Sequence, residues 1–260
     1  MPLSDELLFE IGDGIGRITF NRPQARNALT FAMYERLAQI CQDAASDKSI
    51  KVLLLTGAGD KAFASGTDIS QFKAFDKPED ALAYEGRIDR VLTALEMCPK
   101  PTIAAIQGAC TGGGAGIAAA CDLRIAATTA RFGFPVARTL GNCLSMGNYA
   151  RLTALIGAGR AKDLLFTARL ADAPEALAAG LITQMVEPAD LAARADELAR
   201  KVASHAPLTL RATKEALRRL QPRIPKGDGD DLVLMCYMSQ DFREGIDAFL
   251  NKRPPQWRGE

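Results

Sequence analysis

The chain of 260 residues has one histidine, His205, and one tryptophan, and its aromatic residues amount to only 6%. A single histidine excludes a zinc site built on clustered imidazoles. Any Ser–His nucleophilic pair would have to use His205, which sits in a Ser-His-Ala-Pro sequence where a helix ends. The six cysteines, Cys41, Cys98, Cys110, Cys121, Cys143 and Cys236, form no C-x-x-C pair and are too sparse for a disulfide scaffold. Charge of one sign is missing as well: 32 Lys and Arg against 31 Asp and Glu leave +1. That balance argues against a nucleic-acid surface or a polybasic membrane patch. No apolar run approaches the roughly 18–20 residues of a membrane span. Met1 to Glu6 lack the basic region and apolar stretch of a secretory signal. The expectation is a soluble, cytoplasmic chain with reduced thiols. Its 48% apolar and 24% charged residues describe an ordinary globular protein able to bury a large core.

The order of patterns predicts an α/β fold. Leu7–Ile11 and Ile15–Phe20 flank Gly12-Asp13-Gly14, a hairpin signal. Thr30 caps a predicted helix with a stripe at Tyr34, Leu37, Cys41 and Ala45. Residues 50–56 read as a buried strand and 57–66 as a loop. Ile88, Val91, Leu92 and Leu95 mark a second helix, ended by Pro99 and Pro101. Strands are predicted at Thr102–Ile106 and Leu123–Ala127, with a glycine-rich turn and small-residue helix between them. Strand, loop and helix thus recur, as in crossover-connected sheets. From about residue 145 the pattern becomes helical. Asp172-Ala-Pro-Glu175 opens one helix and Gly180 stops it; further helices are predicted over 189–204, 207–220 and 230–250.

Gly57-Ala-Gly59-Asp-Lys-Ala62 fits a dinucleotide-binding spacing, but no amphipathic helix follows it, which argues against that chemistry. Two other segments carry more information: Lys61-Ala-Phe-Ala-Ser-Gly-Thr67-Asp68-Ile69, and Ala105 to Asp122 with its run Gly112-Gly113-Gly114-Ala-Gly116. The second reads as strand, tight turn and helix start. Unpaired N–H groups at such a start suit an oxyanion; close helix–sheet packing accounts for the glycines equally well.

These segments resemble the enoyl-CoA hydratase/isomerase (crotonase) superfamily. Asn21-Arg-Pro-Gln-Ala-Arg-Asn-Ala-Leu29 is similar to its early signature, and Phe63-Ala-Ser-Gly-Thr-Asp-Ile69 to its F-x-A-G-x-D-[IL] segment. Gln107 to Gly114 with Cys121-Asp122, Phe132-Gly-Phe-Pro135, and Asp241 to Arg253 are similar to later signatures, in order and nearly end to end. The resemblance implies a core of repeated ββα units over 1–200, binding acyl-CoA. It implies a helical C-terminal region, 201–260, that builds homotrimers or homohexamers. Coenzyme A is then part of the substrate, and no separate cofactor is implied. The backbone N–H groups of Thr67 and Gly113 would form the oxyanion hole for a thioester enolate. Backbone of Ala64, Ser65, Asp68, Ile69 and Ser70 would follow the coenzyme, and Arg22, Arg26 and Lys252 are candidates for its phosphates. The carboxylates Asp68 and Asp122 are expected as helix caps.

One departure follows from the same resemblance. Two glutamates flank the substrate in hydratases of this family; their positions here hold Gly116 and Val136, neither of which can carry a proton. The polar groups left in 136–148 are Arg138, Asn142, Cys143 and Ser145; Glu79, Asp80 and Glu85 are acids that could approach. Standard hydration is therefore not the expectation. The readings left open are an enolate-stabilising isomerase, decarboxylase or thioesterase, a weak hydratase, and a non-catalytic acyl-CoA-binding protein.

Overall fold

The computed structural model describes residues 6–221, 224–225 and 227–260. The N-terminal reading rests largely on Met1 to Asp5, outside these residues. β1 (Leu7–Gly12) and β2 (Ile15–Phe20) form the expected antiparallel hairpin, with Asp13 and Gly14 at φ 55° and 78°, as a tight primed turn requires. α1 (Phe31–Ser46) is capped by Thr30, whose hydroxyl accepts from the Met33 N–H. β3 (Val52–Gly57), β4 (Ala62–Ala64) and α2 (Pro78–Met97) follow. Then come β5 (Thr102–Ile106), β6 (Ala109–Thr111) and α3 (Gly113–Ala120), and next β7 (Leu123–Ala127), β8 (Arg131–Gly133), α4 (Val136–Thr139) and α5 (Met146–Thr167). β9 (Ala171–Asp172), α6 (Ala173–Ala178), β10 (Gln184–Val186), α7 (Leu191–Ala203), α8 (Pro207–Arg219), α9 (Asp230–Tyr237) and α10 (Gln240–Leu250) complete the chain.

The strands divide between two sheets, ordered β1-β2-β3-β5-β7-β10 and β4-β6-β8-β9. β3, β5 and β7 of the first sheet each hand over to a short strand of the second, β4, β6 and β8, and then to helix, which is the ββα repeat. The pairings among β2, β3, β5, β7 and β10 are parallel, and the first sheet is covered on both faces. Leu53 and Leu55 of β3 face the main core, while Val52 and Leu54 pack with Leu191, Ala195 and Ala199 of α7. Two-sided burial is why β3 reads as an unbroken Val-Leu-Leu-Leu run rather than an alternation. Among the described residues no helix is long and apolar enough to cross a membrane.

Several expectations change. The stretch 57–66 is not all loop, because β4 pairs with β6 and its Phe63 packs edge-on against Phe20 at 5.2 Å. A three-residue strand is too short to show periodicity. The apolar stripe of α1 ends on buried Ala44 rather than Ala45. Residues 230–250 hold two helices, because Ser239 accepts from the Phe242 N–H and caps α10; continuous apolar spacing concealed the break. Asp122 is not a helix cap. Its Oδ2 accepts from the Thr102 N–H at 2.7 Å, the Thr102 hydroxyl at 2.9 Å and Lys214 Nζ at 2.8 Å, tying β5 to α8. Replacing Asp122 by Ala strands a buried threonine and a mostly buried lysine, and is expected to cost about 2–3 kcal/mol of unfolding free energy in urea denaturation.

Candidate active site

Pairing of β4 with β6 brings the two informative segments together, with Ala64 opposite Cys110. At the end of β6, the Thr111 hydroxyl donates to the carbonyl of Ser65, the residue after β4, at 3.0 Å. Gly112 then takes φ 52° and ψ −122°, a conformation closed to residues with a Cβ, and α3 starts at Gly113. The loops touch. A Cβ on Gly112 would stand 3.4 Å from the Gly66 Cα, and one on Gly114 would stand 2.2 Å from the Ala64 carbonyl oxygen. A Cβ on Gly66 would lie 3.8 Å from the Gly113 nitrogen. Neither the Thr67 nor the Gly113 N–H finds an acceptor among the described residues. The structure thus brings together two unused backbone donors from separate loops, one of them at the positive end of a helix.

Hydroxyls surround this pair. Thr67 Oγ1 lies 2.9 Å from Tyr34 Oη and 2.8 Å from Tyr84 Oη. Burial pushes both phenols well above their ordinary range, so they stay neutral donors. Tyr34 Oη occupies the space beside Gly113: a Cβ there would come within 1.9 Å of it.

Other residues singled out in the sequence are more occupied. The N–H groups of Ser65, Asp68 and Ser70 already donate to Arg26 O, Leu29 O and Asp68 Oδ1. Ala64 lies in β4 with its carbonyl against Gly114, and Ile69 packs on the core. Partial burial raises the Asp68 carboxyl, but hydrogen bonds from Ser70 and Arg22 outweigh it and hold the group low. Asp68 is a cap, as expected, and Arg22 is committed to Asp68 and Glu6. Arg26 and Lys252 are exposed; Arg26 borders a 260 Å³ cavity with Pro23 and Lys61.

Of the 136–148 groups, Arg138 is exposed and Val136 half-buried at the start of α4. Asn142 Nδ2 donates to Tyr237 Oη at 3.0 Å, while its Oδ1 is buried without a partner. The Cys143 thiol donates to Leu232 O, and its hydrogen bond with Cys236 together with burial keeps it protonated, which disfavours a nucleophilic role. Gly116 faces α2 and α5: a Cβ there would lie 3.0 Å from Asn148 Oδ1 and 3.4 Å from Leu92. His205 is exposed beyond α7.

Of the acids near α2, Glu79 is exposed and Asp80 caps the helix, accepting from the Asp76 and Lys77 N–H groups. Glu85 differs. It is the one buried carboxylic acid among the described residues, and no cation among them pairs with it. Burial lifts it to about 7; the Tyr237 hydroxyl, donating at 2.5 Å, opposes the lift and the Asp89 charge adds to it. A sequence signal existed. Glu85 falls in step with buried Ala81, Tyr84, Ile88 and Leu92, an acid on an apolar stripe. Tyr34 and Tyr237 gave no comparable signal.

A mixed α/β fold of ββα repeats, with a glycine-rich helix start packed against a second loop, describes the class of protein. The family model for enoyl-CoA hydratase/isomerase matches residues 10–260. A short-chain-enoyl-CoA hydratase of Clostridium acetobutylicum is 36% identical, with 97% of each chain covered. An (E)-benzylidenesuccinyl-CoA hydratase of Thauera aromatica is also 36% identical, over 96% of this chain and 98% of that one. Among solved structures, a methylmalonyl-CoA decarboxylase in complex with 2-nitronate-propionyl-CoA superposes with a TM-score of 0.88 at 28% identity, covering 98% and 99% of the two chains. The chain belongs to the enoyl-CoA hydratase/isomerase family.

The Glu85 shift makes stability depend on pH. Between 4.5 and about 7 the folded state retains a proton that the unfolded chain has released, so stability falls as pH rises through that window. Glu85→Gln removes the penalty and can still accept from Tyr237. It is expected to stabilise the protein by roughly 3 kcal/mol at pH 8 and by much less at pH 4.5. Urea unfolding at both pH values checks this; equal effects at the two would contradict it.

Proposed function

We propose that the protein binds acyl-CoA thioesters and stabilises the thioester enolate between the N–H groups of Thr67 and Gly113. The observation that carries this is the pair of unused donors, Thr67 N and Gly113 N, on two loops held in van der Waals contact. A carbonyl oxygen between them gains two hydrogen bonds that strengthen as negative charge develops, each worth about 2.7–4 kcal/mol in comparable sites. The structural neighbour that carries 2-nitronate-propionyl-CoA supports the reading, because a nitronate has the charge distribution of an enolate. Arg26 and Lys252, exposed beside the loops and at the C-terminal tail, are the proposed contacts of the coenzyme phosphates.

Crotonyl-CoA hydration is not the proposed main activity. The resemblance assigns glutamates to positions 116 and 136, and each missing acid–base group typically removes roughly 10²–10⁴ in rate. Enolate-forming chemistry, such as isomerisation or decarboxylation, needs the amide pair and one proton carrier. A second reading, binding without turnover, is favoured by the absence of those acids. The C-terminal region, 201–260, is the proposed oligomerisation surface, because α8 and its C-cap leave Leu208, Leu217 and Leu220 exposed. A homotrimer or homohexamer is the assembly proposed.

The test is calorimetric binding of butyryl-CoA, together with crotonyl-CoA turnover. Binding with hydration at least about 100-fold below that of an ordinary hydratase is expected. Absence of binding overturns the proposal. Gly116→Glu with Val136→Glu is expected to create or raise hydration once Asn148 Oδ1, 3.0 Å from the place of a Cβ at 116, gives way by a few tenths of an ångström; adding Asn148→Ala relieves that contact. Light scattering should give three or six chain masses, and a monomer would refute the assembly.

A further inference from the structure

Resting on the enolate reading, we infer that the Tyr34 hydroxyl is a third donor to the thioester oxygen, beside the N–H groups of Thr67 and Gly113. Its position carries this. Tyr34 Oη stands 2.9 Å from Thr67 Oγ1 and 1.9 Å from the place of a Cβ on Gly113, so one atom touches both amide residues. Standard bond geometry puts a Cβ about 2.5 Å from its own nitrogen, which leaves Oη within about 4.4 Å of Gly113 N. An oxygen accepting from Gly113 at an ordinary distance of about 2.9 Å is then in reach of the phenol. Gly113 needs no special backbone, since it begins α3 and its φ is not positive. Its missing side chain answers to space, and Tyr34 Oη takes that space.

The hydroxyl hydrogens point the same way. Thr67, Tyr34 and Tyr84 bring three, and the two contacts through Thr67 Oγ1 use two. The third has no acceptor among the described residues. The Tyr84 ring lies among those of Phe31, Phe72, Phe75 and Tyr237, so Thr67 Oγ1 is the acceptor open to its hydroxyl. Thr67 then donates to Tyr34, and the hydrogen left over is that of Tyr34, beside Gly113. A buried O–H without an acceptor is costly to keep, and a phenylalanine at 34 would complete the apolar stripe of α1 without that cost. Hydroxyls linked in a chain polarise one another, so the three strengthen together as charge develops on a bound oxygen. No proton changes hands. Burial holds the Tyr34 phenol far above its ordinary range, and it meets the oxyanion as a neutral donor.

The test compares calorimetric binding of propionyl-CoA with that of 2-nitronate-propionyl-CoA, whose negative charge spreads onto the thioester oxygen. The parent is expected to prefer the nitronate. Tyr34→Phe is expected to weaken nitronate binding roughly 10–100-fold, the loss of one hydrogen bond to a charged acceptor, and to leave propionyl-CoA within about threefold. Tyr84→Phe removes a hydroxyl that touches Thr67 just as closely, while the atoms nearest the place of a Gly113 Cβ belong to Tyr34 and Thr67. It is expected to leave both ligands within about threefold. The infrared carbonyl stretch of bound propionyl-CoA, isotope-labelled at the thioester carbon, should move to higher frequency in Tyr34→Phe and stay in Tyr84→Phe. Equal losses of nitronate binding in the two variants would assign both phenols to holding Thr67 in place and overturn the third donor. So would a Tyr34→Phe protein that loses both ligands alike, or that keeps the parent's affinity for the nitronate. A parent that binds propionyl-CoA without preferring the nitronate overturns the amide pair as well, and failure to bind either compound overturns the acyl-CoA reading.

Discussion

The Ala64 carbonyl oxygen lies where a side chain on residue 114 would have to stand, at 2.2 Å from the place of its Cβ. That approach holds the end of β4 against the start of α3. Everything at the site descends from it. With α3 drawn in this far, Gly112 takes a backbone conformation that only glycine tolerates, and Gly113 presents its N–H beside Thr67. The hydroxyls of Tyr34 and Tyr84 then close on Thr67 from two helices. Widening that contact would separate the amides, and the hydroxyls would lose their common partner.

The second constraint is electrostatic. α2 passes beside these loops and carries one acid on its buried stripe. Apolar surroundings and the Asp89 charge disfavour its ionised form, while Tyr237 supports it from α9. A buried acid without a cation beside it is what a stability-optimised core would avoid. α9 therefore does more than cover the core, because Tyr237 links the 140–145 loop to α2 through Asn142 and Glu85.

Much of the fold was legible in the sequence. The hairpin showed in its Asp-Gly turn, β3 in its unbroken apolar run, and α1 in its threonine cap, all local signals. β4 and the break between α9 and α10 were not legible. A three-residue strand exists only through its partner, and Ser239 caps a helix inside continuous apolar spacing. At the site, the glycine runs were visible through the family resemblance. Of the carboxylates, Asp68 is the cap expected, whereas Asp122 clamps β5 to α8.

By itself, the sequence determined which backbone positions carry no side chain and which strands are apolar on both sides. Those properties belong to individual residues, and with the motifs around them they carry the family resemblance, from which the ββα repeat was expected. Tertiary structure alone decided what surrounds the glycines. Tyr34, Tyr84, Glu85 and Tyr237 come from three helices, and 152 residues separate Glu85 from its hydroxyl partner. A carboxyl's proton affinity depends on the dielectric and the dipoles within a few ångströms of it. That environment is assembled by packing and has no representation in the local sequence.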